Sequence, residues 1–144
     1  MKFDNYMILE FPSKSCNEAF ARSAVSCFAA QMDPTIEELG DIRTAVSEAV
    51  TNAIVHGYPN GLGLITLRCR ILKDHVLDIV IKDKGVGIID VEQARKPMFT
   101  TGGCDRSGMG FTIMESFTDK LKVRSAVGKG TTVTMIRRIR RRRV

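Results

Sequence analysis

The sequence predicts an α+β two-layer sandwich: a mixed, mostly antiparallel sheet covered on one face by helices. Three observations lead there. Stretches of alternating apolar and polar residues, the period of a half-buried strand, recur near 3–11, 65–71, 77–83, 121–125 and 131–136. Two other stretches carry apolar residues at helical spacing behind capping signatures. The strands mostly follow one another through short turns instead of alternating singly with helices, which is the α+β pattern.

Phe3, Met7, Leu9 and Phe11 occupy odd positions of an opening strand. Ser15-x-x-Glu18 reads as a capping box, followed by a helix with Phe20, Ala24, Cys27 and Phe28 on its apolar face, ended by Pro34. Thr35-x-x-Glu38 is a second capping box. It opens a long helix with the stripe Leu39, Ile42, Val46, Ala49, Val50 and Ala53, stopped by Gly57. After the turn-rich 58–63, Ile65, Leu67, Cys69 and Ile71 alternate with polar residues, and Lys73-Asp74 turns into a strand with Leu77, Ile79 and Ile81 on one face. Val91 to Arg95 suggests a short helix, Pro97 to Gly110 a glycine-containing loop, and Phe111 to Phe117 a further helix. Strands at Leu121–Ser125 and Thr131–Ile136 close the fold around Gly128-Lys129-Gly130.

A length of 144 residues with 44% apolar composition suits one core and one domain, placed at 1–136. The net charge of +6 is matched by six arginines between Arg137 and Arg143. That distribution is a basic tail at 137–144 on a neutral domain, read as frayed and solvated, and it gives no basic groove for nucleic acid. No apolar run reaches membrane-spanning length and the N-terminus has no apolar leader block, so neither a membrane nor export is expected and the chain is placed in the cytoplasm. The four cysteines lack metal or disulfide spacing; Cys27 and Cys69 read as small core residues.

Thr44, Glu48, Asn52 and His56, spaced by four, line one stripe of the second helix. An exposed stripe is usually filled with good helix formers, so Thr, Asn and His point to side chains kept for binding. Asn52 offers an uncharged oxygen suited to Mg²⁺ beside phosphates. Glu48, one turn earlier, is placed to take a proton from an attacking hydroxyl. His56 fits a structural cap near the helix end and stands as well among the candidate nucleotide contacts.

Asp83 continues the register of Leu77, Ile79 and Ile81 and so projects to a buried face, where a carboxylate needs a partner. An internal ion pair or a turn cap would provide one; so would the exocyclic amine of a base, adenine in particular. Gly85 and Gly87 allow the backbone to approach a flat ring, though Asp90 replaces the third glycine of a dinucleotide fingerprint. The second cluster, Ser107-Gly108-Met109-Gly110, precedes a helix and suits an anion, with Arg106 beside it as a cation for the terminal phosphate. There is no GxxxxGK[ST].

In order, Glu48-Ala49-Val50-Thr51-Asn52-Ala53 with His56-Gly57, Asp83-Lys84-Gly85-Val86-Gly87, Ser107-Gly108-Met109-Gly110 and Gly130-Thr131 resemble the boxes of the GHKL (Bergerat) ATPases. Ser47 to Ala53, Arg106 to Glu115, Phe99-Thr100-Thr101 and Phe20-Ala21-Arg22 narrow the likeness to the sporulation anti-sigma F factors. The resemblance implies a Bergerat fold and a homodimeric serine-protein kinase that silences a sigma factor of the sigma F type and phosphorylates a small anti-anti-sigma protein with ATP and Mg²⁺. It implies Glu48 as general base, Asn52 as magnesium ligand, Asp83 for adenine with Thr131 nearby, and 97–110 as a lid. Within the lid Thr100, Thr101, Ser107, Gly108, Met109 and Gly110 are the expected nucleotide contacts, and Arg22 on the first helix is the expected partner contact. A nucleotide-gated sequestering module with little catalysis is the alternative from a different class. The ATPase part of a histidine kinase or topoisomerase-like machine is a third, and it lacks the accepting His helix and transducer in this sequence.

Overall fold

The computed structural model describes residues 3–96 and 109–140. The chain runs β1 (Phe3–Pro12), α1 (Cys16–Ala29), α2 (Ile36–Asn52), β2 (Leu64–Leu72), β3 (Val76–Asp83), α3 (Val91–Ala94), α4 (Gly110–Ser116), β4 (Lys120–Ala126) and β5 (Gly130–Arg138). The five strands form one sheet in the order β1-β2-β3-β5-β4. All four pairings are antiparallel, so the expected mixed sheet is antiparallel throughout the described residues.

Alternation decides the two faces. Phe11, Ile65, Leu67, Cys69, Ile71, Leu77, Ile79, Ile81, Val133 and Met135 are buried in one core with residues of α1, α2 and α4. The other face carries Tyr6 and Ile8, each 54% exposed. On it Asp78 is buried under the guanidinium groups of Arg70 and Arg68. Burial first, then the neighbouring Asp78 charge, pushes the Cys69 thiol up to about 12.

α2 starts as expected: the Thr35 hydroxyl accepts the Glu38 amide and the Glu38 carboxylate accepts the Thr35 amide, each at 2.9 Å. Its predicted stripe is buried from Ile42 through Ala53, with Leu39 partly covered. α1 departs from expectation in three ways. Ser15 is itself helical and makes no side-chain cap. Glu18 instead pairs with Arg22 at 3.5 Å. The buried stripe is Ala21, Val25 and Ala29, while Phe20 is 56% exposed and Cys27 is exposed. α1 packs on α2, where Ala45 and Ala49 are also fully buried. Close helix–helix approach there selects small side chains, and a stripe anchored on the bulkier Phe20 is rotated by about one residue.

The C-terminal boundary also moves. β5 continues through Arg138, Ile139 is 1% exposed, and the Ile139 amide donates to His75 O at 2.8 Å. Arg137 pairs with Asp41 at 3.0 Å, and the Arg140 amide donates to the Glu38 carboxylate at 2.9 Å. Residues 137–140 are therefore part of the fold, and the expectation of a solvated tail fails for them. The run of arginines concealed Ile139, the apolar residue embedded in it.

Candidate functional site

One end of the sheet carries a cross-strand row on the helix face. Phe11 pairs with Ile65, Ile65 with Asp83, Asp83 with Thr131, and Thr131 with Ser125. The row is apolar on β1 and β2 and polar on β3, β5 and β4. Asp83 is 5% exposed. Burial raises its carboxyl pKa above the ordinary carboxylate range, and hydrogen bonds from the Gly85 and Thr131 amides offset only part of that. A buried acceptor this constrained suits a donor that arrives without water, such as an exocyclic amine.

The end of α2 is bound to the loop after Asp83. Past Asn52 the chain makes a wider π-turn over Ala53–Gly57, so His56 does not continue the regular four-residue stripe. The turn aims the Gly57 carbonyl at the Val86 amide, 2.9 Å away, while the Tyr58 hydroxyl accepts the Lys84 amide and donates to Leu64 O, both at 2.7 Å. A Cβ on Gly85 would lie 1.9 Å from the Gly57 oxygen, and one on Gly57 would lie 2.9 Å from the Asp83 carboxyl carbon. The first glycine after Asp83 is thus required by backbone approach. Gly87 is required by a positive φ of 78°.

Glu48 and Asn52 both lie half-buried on α2, one turn and about 6 Å of rise apart. α4 packs against this end of α2: a Cβ on Gly110 would stand 3.1 Å from the Asn52 carboxamide oxygen. Met109 and Gly110, both half-buried, open α4. The structure thus brings together Asn52 with Gly110, and Asp83 with Gly57, Gly85 and Thr131, at the ends of one helix and one sheet. Arg22 stands on α1 engaged by Glu18, outside this set of contacts. Thr100, Thr101, Arg106, Ser107 and Gly108 lie outside the described residues. Among the described residues no three His, Cys, Asp or Glu side chains form a metal cluster, and no helix is long and apolar enough to cross a membrane.

Two contributors escaped the sequence reading. Tyr58 falls in the turn-rich stretch 58–63, and nothing in its spacing reveals its bond to Lys84. Ser125 ends the apolar register Leu121, Val123, Ser125, the same signal (a polar residue on a buried register) that singles out Asp83.

A model of the histidine kinase-like ATPase domain matches residues 11–137. An anti-sigma F factor of Caldanaerobacter subterraneus subsp. tengcongensis is 56% identical, covering 99% of this chain and 100% of the relative. The anti-sigma F factor of Geobacillus kaustophilus is 53% identical over 94% of this chain and 93% of its own. That of Clostridium acetobutylicum is 51% identical, over 92% of each. Among solved structures, the RsbU and RsbW domains of a Mycobacterium tuberculosis protein superpose with a TM-score of 0.69 at 18% identity, covering 94% of this chain and 32% of that one. The histidine kinase domain of a blue-light activated kinase of Erythrobacter litoralis gives 0.59 at 20%, covering 85% and 60%. At those identities the structures speak for the fold alone. The full-length curated likenesses and the family match agree: the chain belongs to the histidine kinase-like ATPase family and, within it, to the anti-sigma F factors.

Proposed function

We propose that the chain binds and inhibits a sporulation sigma factor of the F type, and that it uses ATP to phosphorylate a serine on an anti-anti-sigma protein. The observation that carries the kinase half is the placing of Glu48 and Asn52 one turn apart at the C-terminal end of a helix that is tied, through Gly57, to the loop after the buried Asp83.

The residues fit a nucleotide and a cation. Gly110 lacks the Cβ that would crowd the Asn52 oxygen at 3.1 Å, and that oxygen is a hard neutral donor suited to a Mg²⁺ that takes its other ligands from phosphates and water. When bound, ATP supplies the transferable phosphoryl group and Mg²⁺ offsets its charge. The Asn52 carboxamide would hold the metal. Asp83 and Thr131 would orient the base, and Glu48 would take the proton of the partner's serine hydroxyl. Met109, Gly110, Ser107, Gly108, Thr100 and Thr101 would cover the phosphates, with Arg106 opposite the terminal one. His56, in the π-turn, is assigned to the nucleotide side. Arg22, its side chain 35% exposed and paired with Glu18, would exchange that carboxylate for one on a protein partner. The open sheet face with Tyr6 and Ile8 supports a homodimer, and the protein is assigned to the cytoplasm.

Incubation with labelled ATP, Mg²⁺ and candidate anti-anti-sigma proteins tests the assignment. The wild type should yield phosphoserine on one of them. Glu48→Gln should lose roughly 10²–10⁴-fold in transfer while retaining ATP, the usual contribution of a general base. Unchanged transfer by that variant refutes Glu48 as base. Absence of phosphoserine with every candidate leaves only the sequestering role.

A further inference from the structure

Ser125 sits at the β4 end of the row that holds Asp83 and Thr131, and its hydroxyl makes three contacts. The Ile88 amide donates to Ser125 Oγ at 2.7 Å. Ser125 Oγ lies 2.9 Å from the Gly130 carbonyl oxygen and 2.8 Å from Thr131 Oγ1. Proton counting fixes the direction of each bond. A serine hydroxyl has one hydrogen and two acceptor lone pairs. The Gly130 carbonyl can only accept, so it takes the Ser125 hydrogen. The Ile88 amide can only donate, so it fills one Ser125 lone pair. The Thr131 contact is then a hydrogen bond only if Thr131 donates its hydroxyl hydrogen into the remaining lone pair. Thr131 is left with acceptor lone pairs alone.

The neighbour of Thr131 in the row, Asp83, is also an acceptor, and its carboxylate already takes the amides of Gly85 and Thr131. From this geometry we infer that Ser125 is a positioning residue for base selectivity: it locks Thr131 as an acceptor beside Asp83, so the site favours a base with an exocyclic amine over one with a carbonyl oxygen there. The inference rests on the reading that Asp83 meets the base. A rotatable threonine hydroxyl would serve either kind of base. One whose hydrogen is already committed rejects the carbonyl, because two acceptors then face each other with no hydrogen between them.

The same serine fastens the loop after Asp83. Ile88 follows Gly87, whose Cβ, if present, would lie 2.2 Å from the Ala126 oxygen, and the Gly128 amide donates to Val86 O at 2.8 Å. A purely structural role for Ser125 would therefore weaken all nucleotides together, whereas the proposed role changes their ratio.

The test uses the full chain with Mg²⁺ and measures Kd for ATP and for inosine triphosphate, which carries oxygen in place of the 6-amino group. Ser125→Ala should lower the preference for ATP over inosine triphosphate by about five- to tenfold, the worth of one committed hydrogen bond. Ser125→Cys, which keeps the shape and replaces the hydroxyl by a weak hydrogen-bonding thiol, should shift it in the same direction and covers the case in which the alanine variant does not fold. Thr131→Val should lower the ratio too, and adding it to the Ser125 variant should cause no further drop, since Ser125 acts through Thr131. A ratio that stays constant while both affinities move in parallel overturns the inference, as does an additive double variant. Asp83→Asn separates the underlying reading: if it leaves the ratio at its wild-type value, the base does not meet Asp83. If Asp83→Asn collapses the ratio and the Ser125 variants preserve it, only the role of Ser125 fails.

Discussion

Ile139 is the sharpest test of the redrawn C-terminal boundary. Its side chain is 1% exposed at a point where the sequence offers only arginines around it, and its amide is already satisfied by His75 O. Ile139→Ala keeps that backbone bond and removes only buried carbon. Loss of a buried Ile side chain to Ala costs about 2–5 kcal/mol. Residue 139 lies just past the end of β5, where neighbours can relax toward the gap, so about 2–3 kcal/mol is the expected figure. For a chain of this length that corresponds to a fall in Tm of roughly 6–12 °C. The control is Arg138→Ala, an exposed neighbour whose amide bond to Asp119 is retained; it should change stability by less than about 1 kcal/mol. Urea unfolding followed by circular dichroism measures both. Equal midpoints for the two variants would refute the reasoning and return residue 139 to a solvated tail.

Gly85→Ala should cost about 1–3 kcal/mol and weaken ATP binding, because the new methyl would collide with the Gly57 carbonyl and break its bond to Val86; wild-type affinity would show that the two segments can separate freely. Asp83→Asn should alter the pH dependence of stability. Burial raises the Asp83 pKa, so the folded state binds its proton more tightly than the unfolded chain. That contribution is present below the ordinary Asp value of about 4 and is lost as pH rises through the raised one. The unfolding free energy of the Asn variant relative to wild type should therefore climb as pH rises above about 4, and a flat or falling difference contradicts the assignment.

Wherever one local signal decided the structure, the sequence was readable. Period-two alternation located all five strands, because a sheet with one covered face forces side chains to alternate. The Thr35 capping box placed the start of α2 because both partners lie within one turn. Ser15-x-x-Glu18 fits the same capping-box pattern and fails, since Ser15 adopts helical dihedrals and Glu18 is taken by Arg22. Nothing in the local pattern distinguishes the two. The rotation of α1 was illegible for another reason: its buried side is chosen by the small residues of α2, a non-neighbour, and apolar size alone favoured Phe20.

The site divides along the same line. Asp83 and Asn52 stand out as candidates because each breaks a pattern, a charge on a buried register or a poor helix former on a helical stripe, and Glu48 stands out by its place one turn before Asn52. What binds them into one site was not, because those links are backbone bonds between segments distant in sequence: Gly57 to Val86, Tyr58 to Lys84, Ile88 to Ser125. They also explain why the glycines stand where they do. Gly85 and Gly57 let two backbones meet behind a buried carboxylate, so the end of the helix bearing Glu48 and Asn52 cannot shift without moving the Asp83 loop. A base held at Asp83, as proposed, would thereby be referenced to the helix assigned the chemistry. Positioning of this kind is what phosphoryl transfer demands of a protein, because little covalent work is left for side chains to do.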